Sequence, residues 1–116
     1  MRQSKILEIG PHAIDKKENI LIFFGEHVTD GLRPYSVIQE MSSEDVELAV
    51  GDKILFGEQE YRITYVGNYA NKNLQAIQHI SFVFSDVPTD KLSSTVYLTP
   101  TEMPEITEGM TITYKG

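Results

Sequence analysis

Apolar and polar residues alternate with a period of two along most of this chain, the repeat of a half-buried β-strand. Lys5-Ile6-Leu7-Glu8-Ile9 predicts a short strand that stops at Gly10-Pro11. From Asn19 the run Ile20-Leu21-Ile22-Phe23-Phe24 is unbroken, which predicts a strand covered on both faces. Tyr35-Ser36-Val37-Ile38-Gln39, opened by Pro34, predicts another. Lys53-Ile54-Leu55-Phe56 and Tyr61-Arg62-Ile63-Thr64-Tyr65-Val66 flank Gly57-Glu58-Gln59-Glu60, the signature of a hairpin with a four-residue loop. In its second arm Tyr61, Ile63 and Tyr65 share one face. His79 to Phe84 places Ile80, Phe82 and Phe84 together, and Thr95–Leu98 and Met110–Tyr114 complete the set.

About eight short strands separated by Gly, Pro, Asn and Asp clusters predict an all-β fold. We expect a single closed or nearly closed antiparallel β-barrel of about six to eight short strands, since closure removes exposed strand edges. Two helical pieces interrupt the pattern. Ser42-Ser43-Glu44-Asp45 has capping-box spacing between Ser42 and Asp45. Ala70 to Ile77 predicts a short helix that buries Leu74 and Ile77, three apart. Ser85 to Ser94 has the weakest pattern and reads as an exposed loop. No repeat, low-complexity tract or linker divides the chain, so residues 1–116 are expected to form one domain.

Composition narrows the chemistry. A net charge of −7, from 10 Lys and Arg against 17 Asp and Glu, argues against nonspecific nucleic-acid binding and against an anionic membrane surface. The absence of cysteine removes disulfides, thiolate metal sites and cysteine nucleophiles. Met1-Arg2-Gln3-Ser4-Lys5 does not lead into a signal-peptide core, and no apolar run approaches the ~20 residues of a membrane helix. Neither a metal nor a cofactor site is expected. No histidine has the partner spacing of a zinc site, and no Gly-rich phosphate loop or nucleophile elbow is present.

One block stands out. Val66-Gly67-x-x-Ala70-x-x-Asn73-Leu74-x-x-Ile77-Gln78-His79 carries a strand into a Gly turn, through a loop, and to a histidine that opens the next strand. Gly67 permits a turn that a side chain would block, and Asn73 suits a cap or turn through its amide. The block resembles the IIA component of the glucitol/sorbitol-specific phosphotransferase system. That family's pattern is Val-Gly-x-x-Ala-x-x-Asn-Leu-x-x-Leu-Gly-His before an alternating strand that ends in Phe, here Phe84. Gly51, Gly57 and Tyr61 fit upstream at the family's spacing. Leu32, Tyr35 and Ile38 fit the approach to its active histidine, and Gly109 fits the turn before the last strand. Gln78 stands where the pattern has Gly, and Ser93-Ser94 where it has Pro-Gly.

The resemblance implies a cytoplasmic phosphoryl carrier. In that family a histidine accepts a phosphoryl group from a small phosphocarrier protein and hands it to the IIB component of a sugar permease. The implied partners are therefore the phosphocarrier protein and the IIB/IIC permease components. Apart from the resemblance, short strands with long connections suit strand exchange between two copies, which would make a homodimer.

The acceptor chemistry departs from the family at its centre. The family's Ile-His-x-His segment is Ile38-Gln39-Glu40-Met41 here, which puts Gln39 at the phosphohistidine position. A neutral imidazole nitrogen has a lone pair for covalent attack. The amide nitrogen of Gln donates two hydrogen bonds and has no such pair, so Gln39 can contact a phosphate oxygen but cannot carry phosphorus as His does.

Three histidines remain. His12 follows Pro11 and reads as a solvated turn residue. His27 lies between Glu26 and Asp30 in a polar loop, where either carboxylate could orient it or leave it a plain surface residue. His79 reads either as a half-buried strand residue bonded to backbone or as a phosphate-contacting group near the acceptor position. Glu44, Asp45 and Glu47 read as a solvated charged face. Tyr61, Tyr65 and Phe82 alternate as core residues do, with an aromatic ligand platform as the lesser alternative.

Two function classes follow. One is a IIA-type component, a degenerate or regulatory copy or one in which another histidine has taken over. The other is a small β-barrel ligand- or protein-binding module with no phosphoryl transfer.

Overall fold

The computed structural model describes residues 2–41 and 46–115. Eight strands form in chain order: β1 (Arg2–Ile9), β2 (Ile20–Phe24), β3 (Val37–Met41), β4 (Lys53–Phe56), β5 (Gln59–Val66), β6 (Ile80–Val83), β7 (Thr95–Thr99) and β8 (Thr111–Lys115). One helix, α1 (Ala70–Ile77), separates β5 from β6. The strands close a barrel in the order β1-β3-β2-β6-β7-β5-β4-β8. The expected closed barrel is therefore present, and each strand has both neighbours within the same chain.

Six neighbouring pairs run antiparallel, while β2–β3 and β6–β7 are parallel. The two long connections explain the mixture, because a strand beside a parallel neighbour must be reached by a crossover. Residues 25–36 carry the chain from β2 to β3, and 84–94 from β6 to β7. The Ser85–Ser94 stretch is largely exposed loop, as its pattern predicts.

Period-two alternation fills the barrel. Leu21 and Phe23 of β2 are fully buried, whereas Ile20, Ile22 and Phe24 are only half-buried, so this strand is not equally covered on its two faces as its composition suggested. Phe23, Phe56, Tyr61, Phe82 and Phe84 make a continuous aromatic cluster, with Phe56 edge-on to Phe82 at 5.5 Å and Tyr61 to Phe84 at 5.1 Å. The barrel centre is thus packed side chain. Tyr61 and Phe82 belong to the core and not to an aromatic ligand platform. Tyr65, expected on the face of Tyr61 and Ile63, is turned partly outward by a register shift between Ile63 and Tyr65.

Local chemistry sets the ends. The β4–β5 hairpin turns through two residues, Gly57 and Glu58, so the predicted four-residue loop is shorter by a pair, with Phe56 opposite Gln59. Gly57 takes φ +65°, which the first central position of a tight II′ turn demands. β3 begins two residues later than predicted because Arg33–Tyr35 forms a 3-10 turn with Pro34 inside it. The capping box proposed at Ser42–Asp45 lies outside the described residues. α1 has the predicted bounds, but it buries Ala70 and Leu74 and leaves Ile77 55% exposed. Ile77 sits in the last turn and lines a surface groove.

Candidate functional site

The block from Val66 to His79 assembles one corner of the barrel. Gly67 is needed for close approach: a Cβ there would land on the Ser93 carbonyl. That contact lets Gly67 N–H bond Thr95 O at 2.8 Å and Tyr69 N–H bond Ser93 O at 2.8 Å. α1 is then held by amide side chains between the motif positions. Asn71 Nδ2 donates to Leu48 O at 2.9 Å, Leu48 N–H donates to Asn71 Oδ1 at 2.6 Å, and Gln75 Nε2 donates to Val46 O at 2.8 Å. Asn73, expected to cap through its amide, instead uses its backbone carbonyl, which accepts the N–H of Gln78 and that of His79.

The helix ends at Gln78, in the left-handed region with φ 55° and ψ 26°. A left-handed residue at this position commonly terminates a helix, and glycine is the usual occupant. Its carbonyl accepts from Gln39 Nε2 at 3.0 Å, and its side-chain Oε1 accepts from the Met41 N–H at 3.0 Å. Gln78 therefore ties the end of α1 to β3 twice.

Gln39 itself points into the barrel and is 0% exposed. Its amide is bonded at both ends. Nε2 faces the Gln78 carbonyl, which can only accept, and this orients Oε1 toward the Tyr114 hydroxyl, which donates to it at 2.8 Å. Ser4 Oγ lies 3.5 Å from the same hydroxyl. Ser4, Tyr114, Gln39 and Gln78 thus make a chain of polar groups crossing from β1 and β8 to β3 and the end of α1. Burial pushes the Tyr114 phenol up to about 12, against the opposing pull of its bonds to Ser4 and Gln39.

His79 lies beside this chain. Its ring stacks on Phe24 with centroids 4.2 Å apart, and Nδ1 is 3.2 Å from the Phe23 carbonyl. A carbonyl only accepts, so Nδ1 carries the proton and the lone pair lies on Nε2. Burial lowers the His79 pKa, and the bond to Phe23 opposes it more weakly, so the site disfavours the charged ring. The other two histidines lie elsewhere. His12 is exposed with its ring 5.5 Å from Tyr35, and His27 is exposed in the loop after β2.

A groove of about 520 Å³ opens over this corner. Phe24, Gly25, Val28, Leu32, Ile77 and Gln78 contribute its walls, with His27 at the margin. Arg33 fastens the adjoining loop, pairing with Glu8 at 3.1 Å and donating to Glu26 O at 3.0 Å. The groove reaches Gln78 and the stacking partner of His79; Gln39 is not among the residues that line it and is joined to it through its bond to the Gln78 carbonyl.

Sequence reading singled out Gln39 and His79, and both lie at this corner, joined through the consecutive residues Gln78 and His79. It missed Tyr114, Ser4 and the structural role of Gln78. The one available signal for Gln78 was a glutamine standing where the family pattern has Gly. Among the described residues, no three His, Asp or Glu side chains gather as a metal site.

Comparisons with known proteins agree with this architecture. A family profile described as the PTS system glucitol/sorbitol-specific IIA component matches residues 1–113. A PTS system glucitol/sorbitol-specific EIIA component of Escherichia coli K12 is 26% identical over 115 residues, covering 98% of this chain and 94% of that protein. The crystal structure of a PTS system IIA component from Enterococcus faecalis V583 is 46% identical and superposes with a TM-score of 0.95, covering 98% of this chain and 99% of that one.

Proposed function

The chain belongs to the glucitol/sorbitol-specific IIA family of the sugar phosphotransferase system, and from that premise we propose that it is a cytoplasmic copy that has given up the phosphoryl-carrying step. It keeps a surface for the relay partners, the phosphocarrier protein and the permease components, and acts on them by binding.

The observation that carries this reading is the state of Gln39. An acceptor must present a lone pair to an incoming phosphorus in line with the donor, to within an ångström or so. Gln39 offers an amide with no such pair, wholly buried, and with both amide ends already bonded. The concave groove beside it supports retained docking: Leu32 and Ile77 are exposed apolar residues at its wall. The packed barrel centre works against a binding module that would hold a ligand inside.

A second reading has one observation in its favour. Burial lowers the His79 pKa and the Phe23 carbonyl accepts a hydrogen bond from Nδ1–H of the neutral ring, which leaves the lone pair of a nucleophile on Nε2. Moving the acceptor there requires new donor geometry for the same partner.

Incubation with phosphoenolpyruvate, enzyme I and phosphocarrier protein separates these readings. We expect no acid-labile phosphate, together with amide shifts at Phe24, Val28 and Ile77 on adding phosphocarrier or IIB protein. Label on His79 would overturn the loss of phosphoryl transfer. A spectrum indifferent to both proteins but responsive to a metabolite would favour the binding module.

A further inference from the structure

Gln78 is unusual on two counts. It is a non-glycine residue in the left-handed region, a conformation that an L side chain adopts at a cost. Its side chain is also held in place: Oε1 accepts the Met41 N–H, and a Cβ added at Gly25 would meet its Cβ, Cδ and Nε2 at 3.3 Å. The side chain thus lies packed between the end of β2 and β3, in the groove wall, with Gln39 bonded to the carbonyl of the same residue.

We propose that Gln78 is a positioning residue that closes position 39 off from the groove, so that loss of the phosphoryl step is written at two positions and not one. This rests on the reading of Gln39 as the former acceptor position. Glycine at 78 would satisfy the left-handed conformation and keep the carbonyl that holds residue 39 in place. It would remove only the side chain that stands between that residue and the groove. A histidine restored at 39 behind an intact Gln78 has its lone pair but no approach. In the transfer itself the imidazole lone pair forms the N–P bond while the donor keeps the electron pair of the bond that breaks, so the phosphorus must reach the ring directly.

The cysteine-free chain allows a test that needs no relay protein. A single thiol is placed by Gln39→Cys, and its rate with a small thiol reagent is measured with and without Gln78→Gly. A second single-thiol variant, Thr95→Cys, reports a buried site on β7 that is paired with Ser81 and shares none of the bonds that hold Gln78. We expect Gln78→Gly to speed the reaction at position 39 at least about tenfold and to leave position 95 within about twofold, as local opening requires. Equal rates at position 39, or a parallel rise at 95, overturn the proposal.

The chemical arm compares Gln39→His with Gln39→His/Gln78→Gly in the presence of phosphoenolpyruvate, enzyme I and phosphocarrier protein. Acid-labile phosphate on the double variant alone is expected. Equal label on both variants, or label on neither, overturns the role of Gln78. The parent chain, run alongside, tests the loss of phosphoryl transfer separately, because only label on the parent contradicts that.

Discussion

Removing one oxygen from the barrel interior tests the buried polar chain most sharply. Tyr114→Phe keeps the ring but deletes the hydroxyl that donates to Gln39 Oε1 at 2.8 Å. Tyr114 is 2% exposed and Gln39 0%, so water does not replace the lost donor without disturbing the packing. Leaving one buried acceptor unsatisfied costs about 1–3 kcal/mol. The contact with Ser4 Oγ, at 3.5 Å, adds little. We therefore expect a loss of about 2 kcal/mol. With an unfolding entropy of roughly 2.1 cal/mol/K per residue, a chain of this length loses about 8 °C in Tm. Thermal and urea unfolding measure this directly, with Tyr35→Phe as the exposed control within about 0.5 kcal/mol of the parent. Tyr114→Phe/Gln39→Met removes both partners and should recover part of the loss, as apolar replacement of a buried pair usually does. If Tyr114→Phe melts with the parent, the hydroxyl does not hold Gln39, and the account of a fully bonded amide fails.

Three other outcomes follow from the same corner. Gln78→Ala should be less stable than Gln78→Gly by about 1 kcal/mol, because both lose the bond to Met41 and only Ala keeps the left-handed strain; equal melting temperatures would contradict this. Gly67→Ala drives a Cβ into the Ser93 backbone carbonyl and should cost at least about 2 kcal/mol in denaturant unfolding; a neutral result would mean that the 92–94 turn shifts freely. Burial lowers the His79 pKa below its ordinary value of 6.5, so as pH falls through 6.5 the unfolded state binds the extra proton first and stability falls. His79→Phe should flatten that part of the stability profile and leave it unchanged above pH 6.5. A profile with the same acid slope in both proteins would show that the ring is not protected.

Much of the barrel was legible because its signal is local. Ile20–Phe24, Lys53–Phe56 and Tyr61–Val66 declare strands through their own pattern, and Ala70–Ile77 declares a helix through Leu74 and Ile77, three apart. The parallel β2–β3 and β6–β7 pairs were not legible, since strand alternation is the same whichever way the neighbour runs. Ile77 was assigned to the core by its helical spacing from Leu74, but spacing does not say where the barrel wall ends. At the site, Gln39 and His79 were found through the family pattern. The bonds that decide what Gln39 can do come from Gln78 and Tyr114, 39 and 75 residues away, and no local pattern records them. The substitution at 78 was visible in the sequence as a departure from Gly. That Gln78 is bonded to Gln39 appeared only in the structure.

The central claim is that this IIA-family barrel does not carry phosphate. Intact-mass spectrometry at neutral pH, after incubation with phosphoenolpyruvate, enzyme I and phosphocarrier protein, measures that on the unaltered chain. The account predicts a single unmodified mass while the phosphocarrier in the same tube is phosphorylated. A species heavier by one phosphoryl group, lost on brief acid treatment, would contradict it.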